Sequence, residues 1–137
     1  MPSVEEMKTI VLSEMDKSDF IKNLDLEFDR FDEECAIGKI PFADKFLNPY
    51  GTMHGGVLYA LADTVAGALA CLSGTMCTTI DGNLHYLAPA AGTPYVYCKA
   101  TRIRNGAHMV YVRVEIYGED GRVYDDGSFN YFKIINN

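Results

Sequence analysis

A chain of 137 residues, 48% apolar and 23% charged, is long enough to bury its own core and too apolar to stay disordered. Its formal net charge of −7 leaves no broad cationic field for phosphates, which argues against nucleic-acid binding but not against a small anion held by a few basic side chains. Four cysteines without a C-x-x-C pair and only three histidines argue against a zinc site, and thiols in apolar surroundings fit a reducing, cytoplasmic compartment.

The first 22 residues are expected to form a helical segment, since Val4, Met7, Ile10, Val11, Leu12 and Met15 recur at mostly three- and four-residue spacings. Acids in this stretch, and no basic patch before an apolar run, leave no visible signal peptide. From Leu24 to Phe42 the pattern alternates, with Leu24, Leu26, Phe28, Cys35, Ile37 and Lys39 on one face. It reads as an extended strand, broken at Asp32-Glu33. Residues 43–53 form a loop with Pro49 and Gly51, and 55–73 a long apolar helix. The 57–72 run is the one membrane candidate; it is shorter than the roughly 20 residues a span needs and carries Asp63, so a core helix is expected instead.

Four strands follow, at 77–87, 94–104, 108–118 and 122–135, separated by Pro89-Ala90-Ala91-Gly92, Asn105-Gly106 and Glu119-Asp120-Gly121. Connections this short imply antiparallel strands, and Asn105-Gly106 signals a hairpin because both residues tolerate positive φ. With no repeat or linker, the whole of 1–137 reads as one α+β domain, an antiparallel sheet wrapped against one helix. That helix lacks a polar stripe, so its outer face needs a second cover, most economically another subunit.

"HGGVLYALADTVAGALAC", residues 54–71, places Asp63 within the apolar helix. An unpaired buried carboxylate costs several kcal/mol, and no Arg or Lys lies between Phe46 and Tyr97 to pair with it locally. A functional acid is therefore expected. His54-Gly55-Gly56 marks the helix start, where the first N–H groups have no intrahelical acceptor and could face a developing oxyanion. Asp63 lies nine residues after His54, about 13 Å along the axis. Two ends so far apart cannot act on one atom, so a shared centre would need the acid from a second copy, in a two-fold dimer. No serine has a convincing His/Asp partner, and Cys71 and Cys77 lie toward the far end of the helix. A carboxylate facing amide donors suits acyl hydrolysis, by activated water or direct attack, and thioesters suit it best because a thiolate leaves without strong acid assistance.

The pattern Asn48, Gly51, His54, Gly55, Gly56, Leu61, Asp63 resembles the hotdog-fold acyl-CoA thioesterases of the phenylacetate-degradation (PaaI-like) type. "TTIDGNLHYLAPAAG" resembles the family's second strand and "KATRIRNGAHMVYVRVEIYGEDGRVYDDGSFNYF" its closing strands, so the likeness covers roughly residues 24–133. It implies a hotdog fold of about five to six strands around a central helix. It also implies a homodimer, often paired into a homotetramer, acting on acyl-CoA without a metal or a cofactor other than the coenzyme A of its substrate. By the same resemblance the Gly55 amide polarises the thioester carbonyl and Asp63 of the partner activates water or attacks. Asn48 and His54 hold the loop and orient substrate or water, with Gly56 beside them, and Thr79 stands near the nucleophilic water. Tyr86-Leu87-Ala88 and the turn at Arg104-Asn105-Gly106 would border the pantetheine arm and nucleotide.

Two departures bear on substrate binding. Ala88 stands where many relatives have a basic residue before Pro-Ala, and Thr93-Pro94 where an acid commonly follows the glycine. Phosphate recognition is left to Arg102, Arg104 or Lys99, and Met53, Tyr50, Tyr59 and Tyr86 are candidates for an acyl pocket. The competing readings are a non-catalytic acyl-CoA-binding module, which would have no need of Asp63, and a hydratase or dehydratase, which would want a His–acid pair on one substrate carbon.

Overall fold

A computed structural model describes residues 1–134. Helices α1 (Val4–Met15) and α2 (Asp19–Lys22) lead into strands β1 (Glu27–Phe31) and β2 (Cys35–Pro41). A 3-10 turn (Asp44–Phe46) precedes the long helix α3 (Gly55–Cys71), and β3 (Cys77–Tyr86), β4 (Tyr95–Asn105), β5 (Met109–Gly118) and β6 (Val123–Lys133) complete the fold. The six strands make one antiparallel sheet in the order β1-β2-β4-β5-β6-β3. Alternate residues of β5 (Val110, Val112, Val114 and Ile116) point inward and meet Leu61, Val65 and Leu69 of α3 in the main core. A sheet curled around one helix is the hotdog arrangement expected from the sequence, with six strands.

The 24–42 stretch is a hairpin rather than one interrupted strand. The Asp32 carboxylate accepts from the backbone N–H of Glu34 and Cys35, both at 3.0 Å, and so turns the chain. On β2 the buried face belongs to Ala36, Gly38 and Ile40, while Ile37 and Lys39 are only half-buried. The reason is the closeness of α3: a Cβ on Gly38 would sit 2.7 Å from Val65, so the strand presents glycine where the helix comes nearest. The Pro89–Gly92 connection is not a hairpin either, because β3 pairs with β6 and β4 with β2 and β5. At Asn105-Gly106 the chain does turn back, but neither residue has positive φ; a three-residue loop closes with Gly106 N–H donating to Met109 O at 2.8 Å. The end of the last predicted strand, Ile135, lies outside the described residues.

Helix α3 receives a second cover from within the chain at its C-terminal end. Met7 and Val11 of α1 pack with Ala68, Cys71 and Leu72 at its C-terminal end. Toward its middle and N-terminus, Gly55, Ala60, Asp63, Thr64 and Gly67 stay half-buried. β3 forms one edge of the sheet, with Thr78, Thr79, Ile80 and Asp81 exposed. Among the described residues no helix is long and apolar enough to cross a membrane.

Candidate active site

Two separate clusters form along α3. At its N-terminus Asn48 organises the preceding loop. Its side-chain oxygen accepts from the N–H of Tyr50 at 2.9 Å and of Thr52 at 3.2 Å, and its amide donates to the Thr52 hydroxyl at 2.8 Å. His54 has extended backbone angles and caps the helix, Nδ1 accepting from Gly56 N–H at 2.8 Å. The neutral ring then carries its proton on Nε2. Val57 and Leu58 both donate to the His54 carbonyl. Among the described residues the Gly55 amide donates to nothing, so it is the open one of the helix's first donors. Tyr86 locks this end from β3, its hydroxyl donating to the Gly55 carbonyl at 2.8 Å. Its ring lies so close that a Cβ on Gly55 would be 3.2 Å away. A cleft of about 330 Å³ opens here, lined by Asn48, Met53, Gly55, Tyr86, Leu87 and Ala88 among others.

Asp63 follows Gly55 by about 12 Å along the axis and borders a different cavity, of about 260 Å³, between α3, α1 and the start of β3. No basic side chain pairs with it among the described residues. Instead two hydroxyls donate to one oxygen, Oδ1: Thr79 at 2.8 Å and Tyr131 at 2.9 Å. Thr79 and Tyr131 are directly opposite one another on β3 and β6, which is why their hydroxyls converge. The β3–β6 register slips just beyond, between Thr79 and Asp81. Tyr131 also donates to the Asp63 carbonyl at 2.9 Å. Burial and the Asp63 charge hold its phenol above the ordinary tyrosine range. Sequence reasoning placed Thr79 near this chemistry and missed Tyr131, because a tyrosine on an apolar strand reads as core; only the pairing with Thr79 distinguishes it.

The remaining candidates scatter. Arg104 and Gly106 line a cleft of about 320 Å³ at the β4–β5 turn with His108 and Tyr111, whereas Arg102 and Asn105 line none of these three cavities. Met53 and Tyr86 border the Gly55 cleft, but Tyr50 is exposed and Tyr59 packs edge-on against Phe129. Among the described residues no three His, Cys, Asp or Glu side chains gather as a metal site requires. One chain therefore carries an unclaimed amide and an anchored carboxylate on one helix, facing different cavities.

The central helix of this hotdog domain thus carries both an acid and an open N-terminal amide. The chain belongs to the thioesterase superfamily, whose family model matches residues 50–124, and is a thioesterase. A Haemophilus influenzae protein provisionally named an esterase is 27% identical over 82% of this chain and 83% of its own. The Escherichia coli PaaI protein of the phenylacetic acid degradation operon superposes with a TM-score of 0.87 at 19% identity, covering 98% of both chains. A hypothetical thioesterase protein of Streptococcus pneumoniae TIGR4, solved with coenzyme A, superposes with a TM-score of 0.75 at 22% identity, over 80% of this chain and 85% of that one.

Proposed function

We propose that this protein hydrolyses acyl-CoA thioesters at sites shared between two subunits, each pairing the Gly55 amide of one chain with Asp63 of the other. The observation that carries this reading is the separation of the two groups on one rigid helix, each with capacity left over. Antiparallel pairing of two β3 edges about a two-fold axis would set the N-terminus of one α3 beside the middle of the other. The solved relative with coenzyme A supports the choice of thioester.

In the water route, Asp63 takes a proton from water as its oxygen bonds to the carbonyl carbon. The C=O electron pair moves to oxygen, where the Gly55 N–H receives it. Collapse expels the coenzyme A thiolate, which takes up the proton held on Asp63. In the direct route an Asp63 oxygen bonds to the carbon, the thiolate leaves, and water cleaves the resulting anhydride. Both routes yield acid and free thiol and use the same groups, with no cofactor beyond the substrate's own coenzyme A. His54 and Asn48 shape the loop that presents the amide. Arg102, Arg104 and the Asn105-Gly106 turn remain the proposed contacts for the nucleotide end.

Proline tests the amide directly. Gly55 is the first helical residue, where proline is tolerated, and His54 already has the extended angles a following proline requires. Gly55→Pro deletes the donor, while Gly55→Ala adds a Cβ against the Tyr86 ring but keeps it. Free-thiol release from a panel of short, medium, long and aromatic acyl-CoAs is expected to fall at least about 100-fold more in the proline variant than in the alanine variant. Equal activity in the two would remove the amide from the mechanism. Asp63→Asn is expected to abolish release from every substrate, and mixing Asp63→Asn with Gly55→Pro chains to restore part of it in hybrid dimers. Verified hybrids without recovery would contradict the shared site.

A further inference from the structure

The hydroxyl pair on Asp63 is asymmetric. Both donors, Thr79 and Tyr131, reach Oδ1, and among the described residues Oδ2 accepts from nothing. Their anchorage differs. Thr79 is on the exposed edge strand, whereas Tyr131 is 1% exposed and packs against Phe129. Its single hydroxyl hydrogen is shared between Oδ1 and the backbone carbonyl of Asp63, both 2.9 Å away. Helix α3 makes room for it: a Cβ on Gly67, one turn beyond Asp63, would lie 3.3 Å from the Tyr131 ring. A carboxylate turning freely about its terminal torsion would present either oxygen. Two donors on one oxygen remove that freedom, and the open oxygen keeps its electron pairs.

We propose that Tyr131 is a positioning residue which, with Thr79, clamps Asp63 through Oδ1 and makes Oδ2 the oxygen that takes the proton from water or bonds to the acyl carbon. The inference rests on the catalytic reading of Asp63 given above and adds to it which oxygen reacts and what aims it.

Tyr131→Phe removes the hydroxyl and leaves the ring. The expected result is a kcat about 10-fold lower with KM little changed. Wild-type kcat would overturn the proposal; so would a loss carried by KM with kcat unchanged, since a misaimed carboxylate slows the chemical step rather than binding. Should the phenylalanine variant fail to fold, Gly67→Ala keeps the hydroxyl but crowds the ring. It is expected to lower kcat by a smaller factor with KM little changed, and an unchanged kcat there counts equally against the clamp. Asp63→Asn, measured alongside, separates the two levels. If it retains turnover, the catalytic reading itself fails; if it is inactive while Tyr131→Phe behaves as wild type, only the clamp fails.

Discussion

Asp125, on β6, is fully buried, and among the described residues neither of its carboxylate oxygens has a hydrogen-bond partner. Tyr86 of β3 and Ile116 of β5 flank it in the sheet, and Cys98 lies one strand further on. Burial, and then the negative charge of neighbouring Asp126, push its pKa up from 3.8 to about 7. The unfolded chain therefore gives up this proton at a lower pH than the folded one. It follows that stability declines as pH rises from about 4 to about 7 and levels off above that range. Asp125→Asn cannot ionise, so it is expected to be more stable than wild type in urea at pH 8, with the gain vanishing near pH 4. Asp63 is the contrasting residue, with two hydroxyl donors on one oxygen and a cavity before it. Its position was legible because a carboxylate in an apolar run demands a reason; its partners were not, since they come from strands 16 and 68 residues away.

Among the elements, α3 owes its location to two different covers. The sheet takes Leu61, Val65 and Leu69, and α1 takes Ala68, Cys71 and Leu72 through Met7 and Val11. Met7→Ala is expected to destabilise the protein by about 2 kcal/mol, the low end for a buried methionine because the satellite cluster is small. Denaturant unfolding would measure it. The strand periods of 77–118 were readable from alternation to within a residue or two of the observed ends. What alternation misjudged was β2, where the helix comes so near that Gly38 and Ala36 face it. Side-chain size there follows the gap to be filled rather than hydrophobicity alone.

At the scale of the whole molecule, the Gly55 cleft and the Asp63 cavity complete one another only across a proposed β3–β3 interface. Ile80, 49% exposed on that edge, is apolar where an isolated edge would carry charge. Ile80→Lys is expected to yield monomers by analytical ultracentrifugation and to lower thiol release at least about 100-fold although neither half-site is altered. A monomer of undiminished activity would refute the shared arrangement.

By itself the sequence determined the class of fold, the long apolar helix, and the two groups on it, Gly55 and Asp63, on which the proposed reaction depends. These are local facts: a period, a cap, and a charge out of place in an apolar run. Only the tertiary structure decided which strands are neighbours, that β3 crosses to the far edge beside β6, and that Thr79 and Tyr131 meet over a single carboxylate oxygen. Strand order and cross-strand pairing depend on contacts between distant segments, and such contacts leave no periodic mark on the chain until the sheet has closed around the helix.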